Sequence, residues 1–450
     1  MKKFISYAAL LLIIAGSIMP FVSSAQNGAK EYYGRPSYWT PYDQRGINVF
    51  ETSKIADSLP FEGPRVRFGA GFTQQFQNLK HENITTPANQ AANKLYPLQS
   101  GFMTAQANLF MDIQLADGIR LNVTSYMSSR HHNETWVKGG YIQFDKLPFK
   151  GKFWTNLMEI ATIKVGHMEI NYGDAHFRRS DGGQTINNPF MDNLIVDDFA
   201  TEIGGEVYLQ KNGLFGMIGM TNGMIKGNID STYKTAADDN IKRAPSIYLK
   251  GGIDKTIVEN VRVRVSGSYY HNSSNAGSGL TLFGGDRTGS NYQNVMENSK
   301  NGVNPASTAI AFSGRVNPGF SKKVDAIMLN GFLKVKGVEL FGTYETAKGR
   351  TKNETLNRKM NQLAGEVVYR FGQEENLYVG ARYNTVKVRL AGLANDVKVD
   401  RTALAAGWFV TKNVLMKGEY VIQNYKDFPT ADYRYGGKFK GFVIEAVVGF

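Results

Sequence analysis

The chain has 450 residues, with 48 glycines, only 13 prolines, 12% aromatics and no cysteine. The lack of cysteine excludes a disulfide framework, thiolate catalysis and cysteine-ligated metals. The formal net charge of +13 excludes an acidic, solvating polypeptide, and it fits either contact with anionic lipid or a lumen that favours anions. Past residue 25 no run approaches the roughly 18 consecutive apolar residues that a membrane-spanning helix needs.

In chain order, Lys2 and Lys3 precede the apolar run Ala8–Ala15, and Ser23-Ser24-Ala25 comes next. This is a charged start, a short apolar stretch and a small-x-small cleavage site, so residues 1–25 read as a signal peptide cut after Ala25. No cysteine stands at the cut, which argues against a lipid anchor, and the expected compartment is the bacterial envelope. Residues 26–62 carry Tyr32, Tyr33, Pro36, Tyr38, Trp39, Pro41 and Tyr42 with neither helical nor strand period. They read as an irregular N-terminal segment at the periplasmic face, or tucked into the mouth of the domain formed by residues 63–450.

From residue 63 to 450 the chain alternates apolar and polar residues in runs about as long as a tilted membrane-crossing strand. Strands are expected at 65–79, 101–115, 119–130, 134–146, 157–171, 200–210, 214–225, 245–255, 260–271, 323–336, 338–347, 358–371, 377–390, 397–411, 414–425 and 438–450. Short turns such as Asp117-Gly118 and Asn212-Gly213 supply the positive φ that tight hairpins require. They alternate with long polar loops, 81–99, 172–199, 226–243 and 272–322 among them. The fold class is therefore all-β: a single closed antiparallel transmembrane β-barrel of about 16 strands, an even number that returns the C-terminus to the periplasm.

Within the strands, Arg67, Arg120, Arg262 and Arg264 each alternate with apolar neighbours. An arginine facing lipid at the bilayer midplane costs about 2–4 kcal/mol, so these four are candidates for a basic luminal lining near the periplasmic end. The last strand places Phe442, Ile444, Ala446, Val448 and Phe450 on one face. It is the expected barrel-closing strand, offered to the barrel-assembly machinery and then to outer-membrane lipid and lipopolysaccharide.

Catalytic chemistry is not expected. Asp174, His176 and Ser180 lie close along one loop, but no Gly-x-Ser-x-Gly elbow accompanies them. His131-His132 reads as a solvated pair, and Asp192, Asp197 and Asp198 lack a calcium-loop spacing. No metal, cofactor or nucleic-acid partner is indicated. The informative loop is the third, 172–199, in which Asp174, His176, Arg178 and Arg179 are candidates for a pore constriction if the loop turns inward.

The stretch Gly173–Gly183, with Asn188-Pro189-Phe190, Asp198–Gly204 and the terminal Phe450, resembles the phosphate-selective porin O/P family, particularly its Bacteroidota forms. The resemblance implies a trimeric sixteen-stranded barrel whose third extracellular loop folds into the pore and whose lumen guides anions. The resulting expectation is a passive, water-filled channel for small hydrophilic or anionic solutes, with a mild preference for anions and phosphate among the candidates. Two other readings stay open: a hydrophobic-substrate channel with an N-terminal hatch, and a structural or secretion-associated envelope barrel.

Overall fold

The computed structural model describes residues 39–52, 54, 60–103, 105–128, 134–225, 227, 229, 244–273, 279–286, 288–299 and 312–450. The signal-peptide reading, the stretch 26–38 and the pair His131-His132 lie outside the described residues.

Among the described residues, seventeen strands form one antiparallel sheet. They are β1 (Arg65–Glu82), β2 (Gly101–Phe102), β3 (Gln106–Ala116), β4 (Ile119–Ser128), β5 (Glu134–Phe144), β6 (Ala161–Glu169), β7 (Thr201–Lys211), β8 (Leu214–Thr221) and β9 (Ser246–Val258). The rest are β10 (Val261–Asn272), β11 (Lys323–Val335), β12 (Val338–Arg350), β13 (Arg358–Phe371), β14 (Leu377–Val388), β15 (Val397–Thr411), β16 (Val414–Lys426) and β17 (Lys438–Gly449). Each long strand pairs with the next long one along the chain, β1 with β3 across the short β2, and β17 pairs with both β16 and β1, so the sheet closes on itself. Phe450 completes the seam by exchanging backbone hydrogen bonds with Ala70 at 2.9 and 3.0 Å. Closure is what a lipid environment demands, since an open edge would strand N–H and C=O groups in hydrocarbon.

Sixteen of the strands are long; β2 has two residues. It is the start of the expected strand 101–115, separated from β3 by a one-residue register shift: Phe76 and Gln77 face Phe102 and Gly101, whereas Thr73 faces Gln106. The barrel is therefore sixteen-stranded with one interrupted wall strand.

Period-two alternation sorts the side chains as the pleat dictates. In β10, Val265 is 53% exposed on the outer wall while its neighbour Arg264 is 1% exposed inside. Val66 and Phe68 in β1, Ile327 and Leu329 in β11, and Ile444 in β17 continue the outer apolar surface. At the short-turn end, Asn212 and Gly213 both take positive φ (53° and 78°), the conformation that joins β7 to β8 without splaying them.

One element departs from expectation. The region before β6 holds a helix, α1 (Lys152–Met158), where the expected strand 157–171 begins. Its apolar residues Phe153, Trp154, Leu157 and Met158 do not alternate. Met158 is buried, while Phe153 and Trp154 pack edge to face at the exposed rim.

Candidate functional site

The lumen is not an empty cylinder. After β6 the chain crosses the interior and fastens itself to the wall formed by β13–β17. The amides of Met191, Ile195 and Val196 donate to Glu419, Asn384 and Gln362 at 2.9, 2.6 and 2.9 Å. Lys417, fully buried on β16, donates to the carbonyls of Thr185, Asn188 and Phe190 at 2.9–3.0 Å and pairs with Glu445 at 2.8 Å. Arg382 and Arg401 reach the carbonyls of Asp192 and Asn193, both at 2.7 Å. The third long loop thus folds inward and is stitched along one side.

A second segment enters from the short-turn end. Residues 39–52 run inside the barrel mouth, where Trp39 and Phe50 are buried and Tyr42 stacks on Phe110 with ring centroids 4.0 Å apart. Its amide at Gln44 donates to Lys412 in the β15–β16 turn at 2.9 Å. Glu51 pairs with Lys250 at 3.0 Å and with Arg264 at 2.7 Å. Burial opposes ionisation of Glu51, but these two cations hold its carboxyl down at about 2.

The four arginines on the strands all lie on the inner face, each engaged locally. Arg67 pairs with Asp112 and stacks over Tyr42 at 4.7 Å. Arg120 donates to Gln143 at 2.6 Å. Arg262 forms a two-pronged pair with Asp254 at 2.7 Å, and Arg264 a two-pronged pair with Asp174 at 2.8 Å. The loop candidates are engaged as well. Arg178 is 2% exposed and lies against Asn48, Glu339 and Glu366. Arg179 binds Asp197 at 2.6 Å and covers the Phe199 ring at 4.1 Å. Asp174 faces Arg264, Lys250 and Ser266. His176 contacts Asn171 at 2.8 Å and Glu169 at 3.3 Å.

Asp174, His176 and Ser180 therefore have separate partners, for Ser180 donates to the Met191 carbonyl at 2.8 Å. The three loop aspartates also diverge. Asp192 is held by Arg315 and Arg401, and Asp197 by Arg179 and Arg315. Against the cost of burial, Arg315 and Arg401 keep the Asp192 carboxyl below the usual range. Burial, and after it the neighbouring Glu345 carboxyl, pushes Asp198 well above it.

Because the loop is fastened to β13–β17, space remains on the opposite side. A cavity of about 320 Å³ lies between the loop, the entering segment and the inner face of β3–β7. Four cations line it, Arg120, Lys138, Lys164 and Arg179, and so do four carboxylates, Glu51, Asp112, Glu169 and Asp181. Glu51 and Asp112 are neutralised from outside the cavity, by Lys250, Arg264 and Arg67. Lys138 pairs with Asp181 and, at 3.0 Å, with Asp286. Tyr42, Phe50, Phe110, Tyr141, Phe199 and Tyr208 add ring surface.

Sequence reasoning missed Lys138, Lys164 and Lys417. Lys164, between Ile163 and Val165, carried the alternation that singled out the arginines; Lys138 and Lys417, beside glycines, did not.

No protein-family model and no curated protein matches the chain. Solved structures do match. An anion-selective porin from Comamonas acidovorans superposes with a TM-score of 0.52 at 11% identity, covering 86% of this chain and all of that one. The outer-membrane channel DcaP of Acinetobacter baumannii (TM-score 0.48, 11% identity) and Salmonella typhi OmpF in complex with daunomycin (0.47, 11%) each cover 86% of this chain and 98% of their own. At these identities the likeness is one of fold. The chain is a bacterial outer-membrane β-barrel with the architecture of the porins.

Proposed function

We propose that this barrel is a passive, water-filled diffusion channel for small hydrophilic solutes, with a mild preference for anions and no turnover chemistry. The observation that carries the reading is the placement of the third loop: pinned to β13–β17, it narrows the lumen without filling the β3–β7 side. A solute passing there meets polar groups on both sides, so selection rests on size and on the local field.

The anion preference is argued from pairing and not from net charge, because the lining cations and carboxylates are equal in number. Two of those carboxylates are compensated by cations behind them, while Lys164 has no carboxylate within ion-pair distance among the described residues. That leaves a small positive excess facing the water. The basic zone of Arg67, Arg120, Arg262 and Arg264 belongs to the same proposal, acting as a muted field because three of the four are balanced by aspartates. So does the constriction at Asp174, His176, Arg178 and Arg179, with Arg179 the member that lines the cavity along with His176. A trimeric assembly, implied by the family resemblance, is its finer part.

Reconstitution of the purified protein in a planar bilayer tests the reading. Steady ohmic openings are expected, with a zero-current potential in a potassium chloride gradient on the anion side. That potential should fade in molar salt as the Debye length shrinks to about 3 Å. Silence from well-inserted protein, or clear cation preference, would overturn the proposal; mass measurement in detergent checks the trimer.

A further inference from the structure

Lys164 differs from the other cations around the cavity. Lys138 and Arg179 bind carboxylates, and Arg120 binds the Gln143 amide oxygen. The Lys164 ammonium instead sits 5.2 Å from the ring centre of Tyr141 and 4.8 Å from that of Tyr208. Glu206 lies opposite it in the ladder, but that carboxylate is taken by the Asn171 amide at 2.9 Å and by the hydroxyls of Tyr208 and Tyr248. No carboxylate oxygen comes within 4 Å of Lys164 among the described residues. A cation flanked by aromatic faces, inside a protein and short of a counter-charge, is set up to receive an anion that also brings apolar surface.

A second observation points the same way. Arg179, 7% exposed, stacks on Phe199 and lines the same cavity. Its Nη1 has no hydrogen-bond partner among the described residues, and the Asp286 carboxylate lies 3.7 Å from it. A buried guanidinium N–H left unmet costs free energy until an acceptor arrives. The cavity thus holds a cation-on-ring position at Lys164, between β5 and β7, and a second at Phe199, whose ring Arg179 of the loop shares with Lys138.

We propose that this cavity is a binding subsite for small organic carboxylates with a ring-like apolar body, with Lys164 taking the carboxylate and Tyr141 and Tyr208 covering the ring. The inference deepens the channel reading above and rests on it. Inorganic phosphate fits less well: a strongly hydrated dianion needs several converging donors, and here it would meet one ammonium beside two aromatic faces, which cannot replace its water. Acetate would satisfy the charge but leave the ring surfaces wet.

The test is titration of folded, full-length protein in detergent with benzoate, acetate and inorganic phosphate, and then benzoate block of chloride current in bilayers. Benzoate should bind at least about tenfold tighter than acetate or phosphate, a gap that one cation–aromatic site with modest ring burial supplies. Lys164→Gln should weaken benzoate about tenfold, Lys164→Arg should retain it, and Tyr141→Leu should erase the advantage over acetate while leaving acetate itself unchanged. Equal binding of the three anions, phosphate preference, or a Lys164→Gln variant that binds benzoate normally would overturn the proposal. Benzoate binding without any conductance would instead sink the channel reading and leave the subsite standing.

Discussion

Replacing Lys417 by Met removes the central peg that holds the third loop against the wall. The ammonium is fully buried and serves three loop carbonyls at 2.9–3.0 Å as well as Glu445 at 2.8 Å. A hydrogen bond to a charged group contributes about 1.5–3 kcal/mol, but the three share one ammonium and do not add. Removing one partner of a buried ion pair costs about 3–5 kcal/mol, and part of that is recovered here because Thr185 still donates to Glu445 at 2.9 Å. A net loosening of about 3 kcal/mol is expected, which raises the detached population of the loop by roughly a hundredfold. Hydrogen exchange reads this directly. The amides of Met191, Ile195 and Val196, which donate to the β13–β16 wall, should exchange roughly a hundred times faster in Lys417→Met, while strand amides keep their protection. In bilayers the loosened loop should visit the β3–β7 side and produce brief closures. Unchanged protection at those three amides together with a quiet current would refute the claim that the loop is held from this wall.

The same contacts have other consequences. Arg178→Glu sets a third carboxylate against Glu339 and Glu366 in a buried site, so it should cost more than about 3 kcal/mol and lower the yield of folded barrel, well beyond a change in selectivity; normal folding with only a shifted zero-current potential would contradict this. Burial lifts Glu297, in the segment between β10 and β11, to about 7, against a donated hydrogen bond from Ser313 and the pull of Arg434. Since its folded value lies above the unfolded one near 4.5, the packing of this segment is fully stable below about pH 4.5 and weakens as pH rises toward 7; Glu297→Gln should flatten that dependence in pH-corrected hydrogen exchange. Deleting Gly441–Phe450 removes most of the pairs that β17 makes with both β1 and β16, so the truncated chain should fail to form a barrel by circular dichroism and protease resistance; a folded truncation would contradict the closure argument.

The wall was legible because it is written in local pattern. Lipid on one side and polar interior on the other force alternation, and a strand such as β13 (Arg358–Phe371) carries it without interruption at its expected bounds. Where the pattern lapses, legibility lapses too: Phe153-Trp154 and Leu157-Met158 form a helix that runs from the gap before the expected strand 157–171 into its start, and Gly101–Phe102 is cut from β3 by a register shift. The interior was far less readable. Arg178 meets Glu339 and Glu366 across 161 and 188 residues, and Lys417 meets Phe190 across 227, spacings on which no local period bears. Charge was visible in the sequence, whereas the neutralisation of Arg178 depends on partners that only the folded barrel brings together.

The chain contains no cysteine, so a single engineered thiol reports on one position alone. Thr124→Cys lies on the inner face of β4 and lines the cavity; Thr343→Cys lies on β12, 3% exposed and against Asn330 on the opposite side. A charged, thiol-specific reagent added to single channels should cut the conductance of Thr124→Cys sharply and leave Thr343→Cys unchanged. Block at Thr343→Cys with an unaffected Thr124→Cys would place the water path on the other side of the loop and contradict the account.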